Sequence, residues 1–117
     1  MKISMTIDGI RAVGILDNTP AARDFSSLLP LTLELKDYAS TEKISDLPKR
    51  LTQDGAPDGY KPLAGDITYY VPWANLAIFY RPFSYSRGLV RLGRIESGLE
   101  SLERSGSLKA VIEILDT

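Results

Sequence analysis

A chain of 117 residues carries 14 basic and 15 acidic side chains, a formal charge of -1, with 44% hydrophobic and 25% charged residues. That length suits one domain over 1–117 burying roughly two thirds of the surface its unfolded form exposes, and the composition excludes disordered and membrane classes and any net field for nucleic acid. The sequence holds no cysteine and no histidine, which excludes a disulfide framework, an ordinary zinc site, a thiolate nucleophile and a Ser-His-Asp triad.

Met1 to Ile7 alternates polar and apolar residues, so the start reads as a strand and not a signal peptide, and the default location is the cytoplasm. Asp8-Gly9 then makes a tight turn into a second strand through Leu16. Asn18 caps a helix that opens at Pro20 and runs to Pro30, with Ala21, Phe25, Leu28 and Leu29 on the face that covers an open end of a sheet. Leu31 to Lys36 alternates strictly and forms a half-buried strand. From Ser40 to Lys61 the chain holds Pro48, Gly55, Pro57 and Gly59 and reads as loop, with brief structure at most around Ile44 and Leu51.

The stretch from Gly65 to Tyr80 contains two strands separated by Pro72-Trp73-Ala74-Asn75, and their near-continuous hydrophobicity predicts burial on both faces. Leu89 to Ile95 is a further strand, Leu99 and Leu102 mark a one- or two-turn helix, and Leu108 to Leu115 is a last strand pairing near the first. Six or more short strands with two short helices predict a mostly β fold, a small closed barrel.

Seven of the ten aromatic residues, Tyr69, Tyr70, Trp73, Phe79, Tyr80, Phe83 and Tyr85, fall between positions 69 and 85. Strand packing accounts for part of that density, since aromatics are enriched in strands. Trp73 at a turn, with Phe83 and Tyr85 in a following loop, cannot all fit inside so small a barrel. The candidate ligand-binding set is therefore Tyr69, Trp73, Asn75, Phe83, Tyr85 and Arg87, whose rings, amide and guanidinium suit a flat small molecule or a peptide. Asp66 after Gly65 reads as closing a turn, with no second carboxylate at a defined spacing for acid and base work. Gly88, Gly93 and Gly98 lack the lysine and hydroxyl context of a nucleotide loop, so no cofactor is expected. Arg91 and Arg94 differ in strand parity and are expected on opposite faces.

LDNTPAARDFSSLLPLTLELKDYASTEKI and GDITYYVPWANLAIFYRPFSYSRGLVRLGRIESGLESL carry a resemblance to the bacterial cyclophilin-like proteins of uncharacterised function. The resemblance implies an eight-stranded or similar barrel capped by helices. True prolyl isomerases of that fold present an arginine, a Phe-Met-Gln stretch, a tryptophan and a histidine around the proline pocket. This chain has no histidine and no Phe-Met-Gln run, and Trp73 sits in a different local context. The leading expectation is a domain that binds a small molecule or peptide in a groove near Trp73. The alternatives are a peptidyl-prolyl isomerase served by Arg23, Arg81 or Arg87, and a structural protein whose aromatic patch is a homodimer interface.

Overall fold

The computed structural model of the protein describes residues 1–115. Strands β1 (Lys2–Ile7) and β2 (Ile10–Leu16) form the expected hairpin, followed by helix α1 (Pro20–Ser26), β3 (Leu31–Tyr38) and β4 (Glu42–Asp46). Then come β5 (Gly59–Tyr60), β6 (Asp66–Tyr70), β7 (Asn75–Phe79), β8 (Ser86–Arg87), β9 (Leu89–Ser97) and β10 (Leu108–Ile114). Eight strands close into an antiparallel barrel in the order β1-β10-β3-β4-β7-β6-β9-β2, while β5 and β8 pair as a separate two-stranded clamp. Closure removes the exposed edges that an open sheet of these apolar strands would leave.

Alternation fills the interior. Ile3, Met5 and Ile7 of β1 meet Leu33, Leu35, Ile67, Ile78, Leu92 and Ile112 in one buried cluster. Phe25 of α1 joins it with no exposed surface, a burial that stabilises by roughly 2–3 kcal/mol. β6 and β7 are buried along nearly their whole length, as their unbroken hydrophobicity predicts, because Ala77, Phe79 and Leu89 form a second small cluster on the outer face.

Four expectations are corrected. The helix ends at Ser26, not Pro30: the Ser26 and Ser27 hydroxyls donate back to the Arg23 and Asp24 carbonyls, and Leu28 and Leu29 close three-residue turns ahead of a proline that disfavours helix before it. Its cap is Thr19, whose Oγ1 accepts from the Ala22 amide at 3.2 Å, while Asn18 Oδ1 accepts from Arg23. The stretch from Ser40 to Lys61 is not all loop, since β4 pairs with both β3 and β7 as a full barrel strand. Arg91 and Arg94 are both outside the core, because an irregularity where β9 pairs with Ile67 and Thr68 resets the strand parity between them.

Asp66 does close a turn: its carboxylate accepts from the Tyr60 hydroxyl at 2.6 Å and the Leu63 amide at 2.8 Å. The short helix near Leu99 is a single 3-10 turn, Leu99–Leu102, which buries Leu102. Among the described residues no helix is long and apolar enough to cross a membrane.

Candidate functional site

The β6–β7 connection builds the site. Val71-Pro72-Trp73 makes a 3-10 turn with proline in its first positions, and Ala74 ends it in the left-handed region at φ 51°. The turn is anchored on both sides, by the Val71 amide to the Gly88 carbonyl at 2.8 Å and by the Leu47 amide to the Ala74 carbonyl. A held turn presents its side chain at low entropic cost. Trp73 is 50% exposed. Its indole meets Tyr38 at 5.4 Å and Tyr70 at 5.3 Å between centroids, at interplanar angles of 79° and 84°. Two tyrosine rings therefore stand nearly perpendicular to the indole, as two corners of a box.

The box opens onto a cleft of about 200 Å³ on the outer face of the barrel. Register explains the lining. Tyr38 pairs with Glu42 and Glu42 with Phe79 across β3, β4 and β7, while Asn75 pairs with Tyr70 and Tyr70 with Leu89 across β7, β6 and β9. Outward side chains of these two rows, with Ala77 between them, make the floor and two walls. Phe83 and Ser86 supply the remaining wall. Phe83 stacks on Phe79 at 6.5 Å, and its amide donates to the Pro62 carbonyl at 3.2 Å. The clamp of β5 and β8 holds that segment in place. It requires glycine at position 59, where a Cβ would lie 2.5 Å from the Ser86 carbonyl and 2.7 Å from the Tyr85 ring.

Two polar groups in this aromatic setting lack partners. Asn75 is only 3% exposed, and its Oδ1 is buried with no hydrogen-bond donor among the described residues. A buried acceptor left unpaired costs about 1–3 kcal/mol. Among the described residues Glu42 is the one charged residue lining the cleft. Burial alone pushes its carboxyl up from 4.5 to about 7, with no cation or hydrogen bond among the described residues to offset the desolvation.

The other side of β4 is differently arranged. Lys43 is wholly buried inside the barrel. Its Nζ donates to the Arg104 carbonyl at 2.5 Å and the Gly106 carbonyl at 3.2 Å, and lies 3.4 Å from Asp37 Oδ1. The Tyr80 hydroxyl donates to the same carboxylate at 2.5 Å. That bond, followed by Lys43, holds the Asp37 carboxyl below the usual range, while burial and then Asp37 push the Tyr80 phenol up to about 12. This network closes one end of the barrel and has its donors and acceptors matched.

Of the residues expected in the site, Trp73, Asn75 and Phe83 line the cleft. Tyr69 does not: it is 1% exposed in the barrel interior, where its hydroxyl accepts from the Leu51 amide. Tyr85 is exposed and borders a shallow depression with Lys61 and Pro82, and Arg87 sits in β8 paired with Gly59 without lining the cleft. Tyr38, Glu42, Tyr70, Ala77, Phe79, Ser86 and Leu89 line it unanticipated. Tyr38 and Glu42 lie about thirty positions before Trp73, and only the β3-β4-β7 order brings them there; the one signal in sequence was a tyrosine ending the alternating run of β3. None of Arg23, Arg81 and Arg87 lines the cleft. Among the described residues no group of three acidic, histidine or cysteine side chains is placed to hold a metal ion.

With this geometry in hand, comparisons with known proteins give three findings. The model of the Cyclophilin-like family matches residues 5–113. The solution structure of a hypothetical protein from Archaeoglobus fulgidus is similar over 97% of this chain and 93% of that one, with a TM-score of 0.66 at 14% identity, a likeness of fold. No curated protein matches the chain.

Proposed function

This chain belongs to the Cyclophilin-like family, and from that premise we propose that it is a binding domain accepting a small molecule or peptide in the outer-face cleft beside Trp73. One observation carries the reading. Asn75 lines the cleft with its Oδ1 buried and without a donor among the described residues, and a bound group that reaches that oxygen recovers a hydrogen bond the fold by itself leaves unmade. Exposed rings on three sides supply the apolar contact that a small ligand needs. Glu42 is the lone carboxylate in the lining, so the cleft offers no acid and base pair, and a binding role suits it better than proton-transfer chemistry.

The test uses 15N-labelled protein and a panel of neutral, cationic and anionic fragments of fewer than about ten heavy atoms, with a short proline-containing peptide. The Trp73 indole N–H and the Asn75 side-chain amide are the reporters. Saturable shifts at both resonances are expected from at least one member, and their loss in Asn75→Ala. A panel that moves neither resonance contradicts the reading. The same peptide in an isomerisation assay decides the enzymatic alternative, which requires acceleration at micromolar protein.

A further inference from the structure

We propose that the cleft takes an alkylammonium group, its charge set against the rings of Tyr38, Tyr70 and Trp73 and its N–H groups directed to the Glu42 carboxylate. This rests on the cleft being a binding site, and adds the chemical class of its occupant. The argument is one of complementarity. Among the described residues, both polar groups without partners are acceptors, Asn75 Oδ1 and the Glu42 oxygens, and no lysine or arginine is in the lining. An anion would meet a carboxylate with no counter-charge. A neutral apolar group would fill the box and leave both acceptors unmet. An ammonium carries donors for the Glu42 oxygens together with the counter-charge they lack, and that charge is attracted to the faces of electron-rich rings, indole above all.

The rings are placed for that use. The two tyrosines meet the indole edge to face, and all three rings line the cleft that Glu42 also lines. The space of about 200 Å³ admits a short alkyl chain with its head group and not a folded domain. Glu42 responds in the same sense: a cation beside it removes the desolvation cost of its ionised form, so binding releases a proton when the free carboxyl is neutral. The Lys43 network is excluded as an occupant's site because its amine, carboxylate and hydroxyl already satisfy one another.

The test titrates the full chain with n-butylammonium, its neutral counterpart n-butanol and its anionic counterpart butyrate. Trp73 is the single tryptophan, so its fluorescence reads the box directly, with the Asn75 side-chain amide as a second reporter. Butylammonium is expected to bind about tenfold or more tightly than butanol, the ratio that one cation–π contact with a charge-assisted hydrogen bond supplies, and butyrate to give no saturable change. Glu42→Gln should erase the preference for ammonium over alcohol, its melting curve serving to show that it folds. Equal or tighter binding of butanol or butyrate overturns the inference. If a neutral or peptide probe moves Trp73 and Asn75 while butylammonium does not, the inference falls and the cleft's binding role stands; silence from every probe overturns both.

Discussion

Glu42 and Lys43 are neighbours on β4 and face opposite sides of the same sheet. Lys43 points into the barrel, where two carbonyls and the Asp37 carboxylate take up its ammonium and the Tyr80 hydroxyl completes the carboxylate. Glu42 points out among rings, and among the described residues nothing pairs with it. A buried charge that is fully hydrogen-bonded belongs to the architecture. One held among aromatics without a partner among the described residues, in the cleft that Asn75 also lines, raises the free energy of the fold for no structural return. That difference separates the end of the barrel from the cleft, and the substitutions below are chosen to test it.

The largest effect is expected inside. Lys43→Ala leaves the Arg104 and Gly106 carbonyls and Asp37 without their cation and opens a void, and should cost about 3–5 kcal/mol in urea unfolding; a loss under about 1 kcal/mol would mean that the network is dispensable. Tyr80→Phe removes one hydrogen bond to a charged group and should cost about 1.5 kcal/mol by the same measurement. With that bond gone, the Asp37 carboxyl should titrate nearer its ordinary value, since the Tyr80 bond is the largest cause of its lowering.

Outside, the sign reverses. Because Glu42 has a folded value near 7 against an ordinary 4.5, the native state holds a proton between those values that the unfolded chain has released. Stability from this group therefore falls as pH rises through that window and is flat above it. Glu42→Gln should stabilise the protein at pH 8 by on the order of 1 kcal/mol, discounted for its partial exposure, and be neutral near pH 4. A destabilised variant at pH 8 would place Glu42 in the architecture after all. Trp73→Ala gives up a half-buried indole and its two edge-to-face contacts and should cost about 1 kcal/mol in stability, while losing the Asn75 side-chain shift that butylammonium produces.

The same pair of residues shows why part of the molecule was legible in sequence and part was not. β1, β3 and β10 follow the alternation of their apolar residues, since in each the more apolar side faces the core. β4 inverts that rule: its inward residue is a lysine, and its one large apolar residue, Ile44, packs outside against the Ala77, Phe79 and Leu89 cluster. A polar run with this pattern reads as loop. The clustering of aromatics led to Trp73, Asn75 and Phe83, which one connection and the loop after β7 bring together. It could not say which of Tyr69 and Tyr70 faces inward, as register with β7 and β9 decides that. Tyr38 and Glu42 reach the cleft only through barrel closure, and no local window contains them.

The most direct measurement is a pH titration of the Glu42 carboxyl by 13C NMR, with and without saturating n-butylammonium. The free protein should show a midpoint near 7, and the cation should move it down toward the ordinary glutamate range. A midpoint already ordinary in the free protein, or one near 7 that the cation leaves in place, would contradict the account.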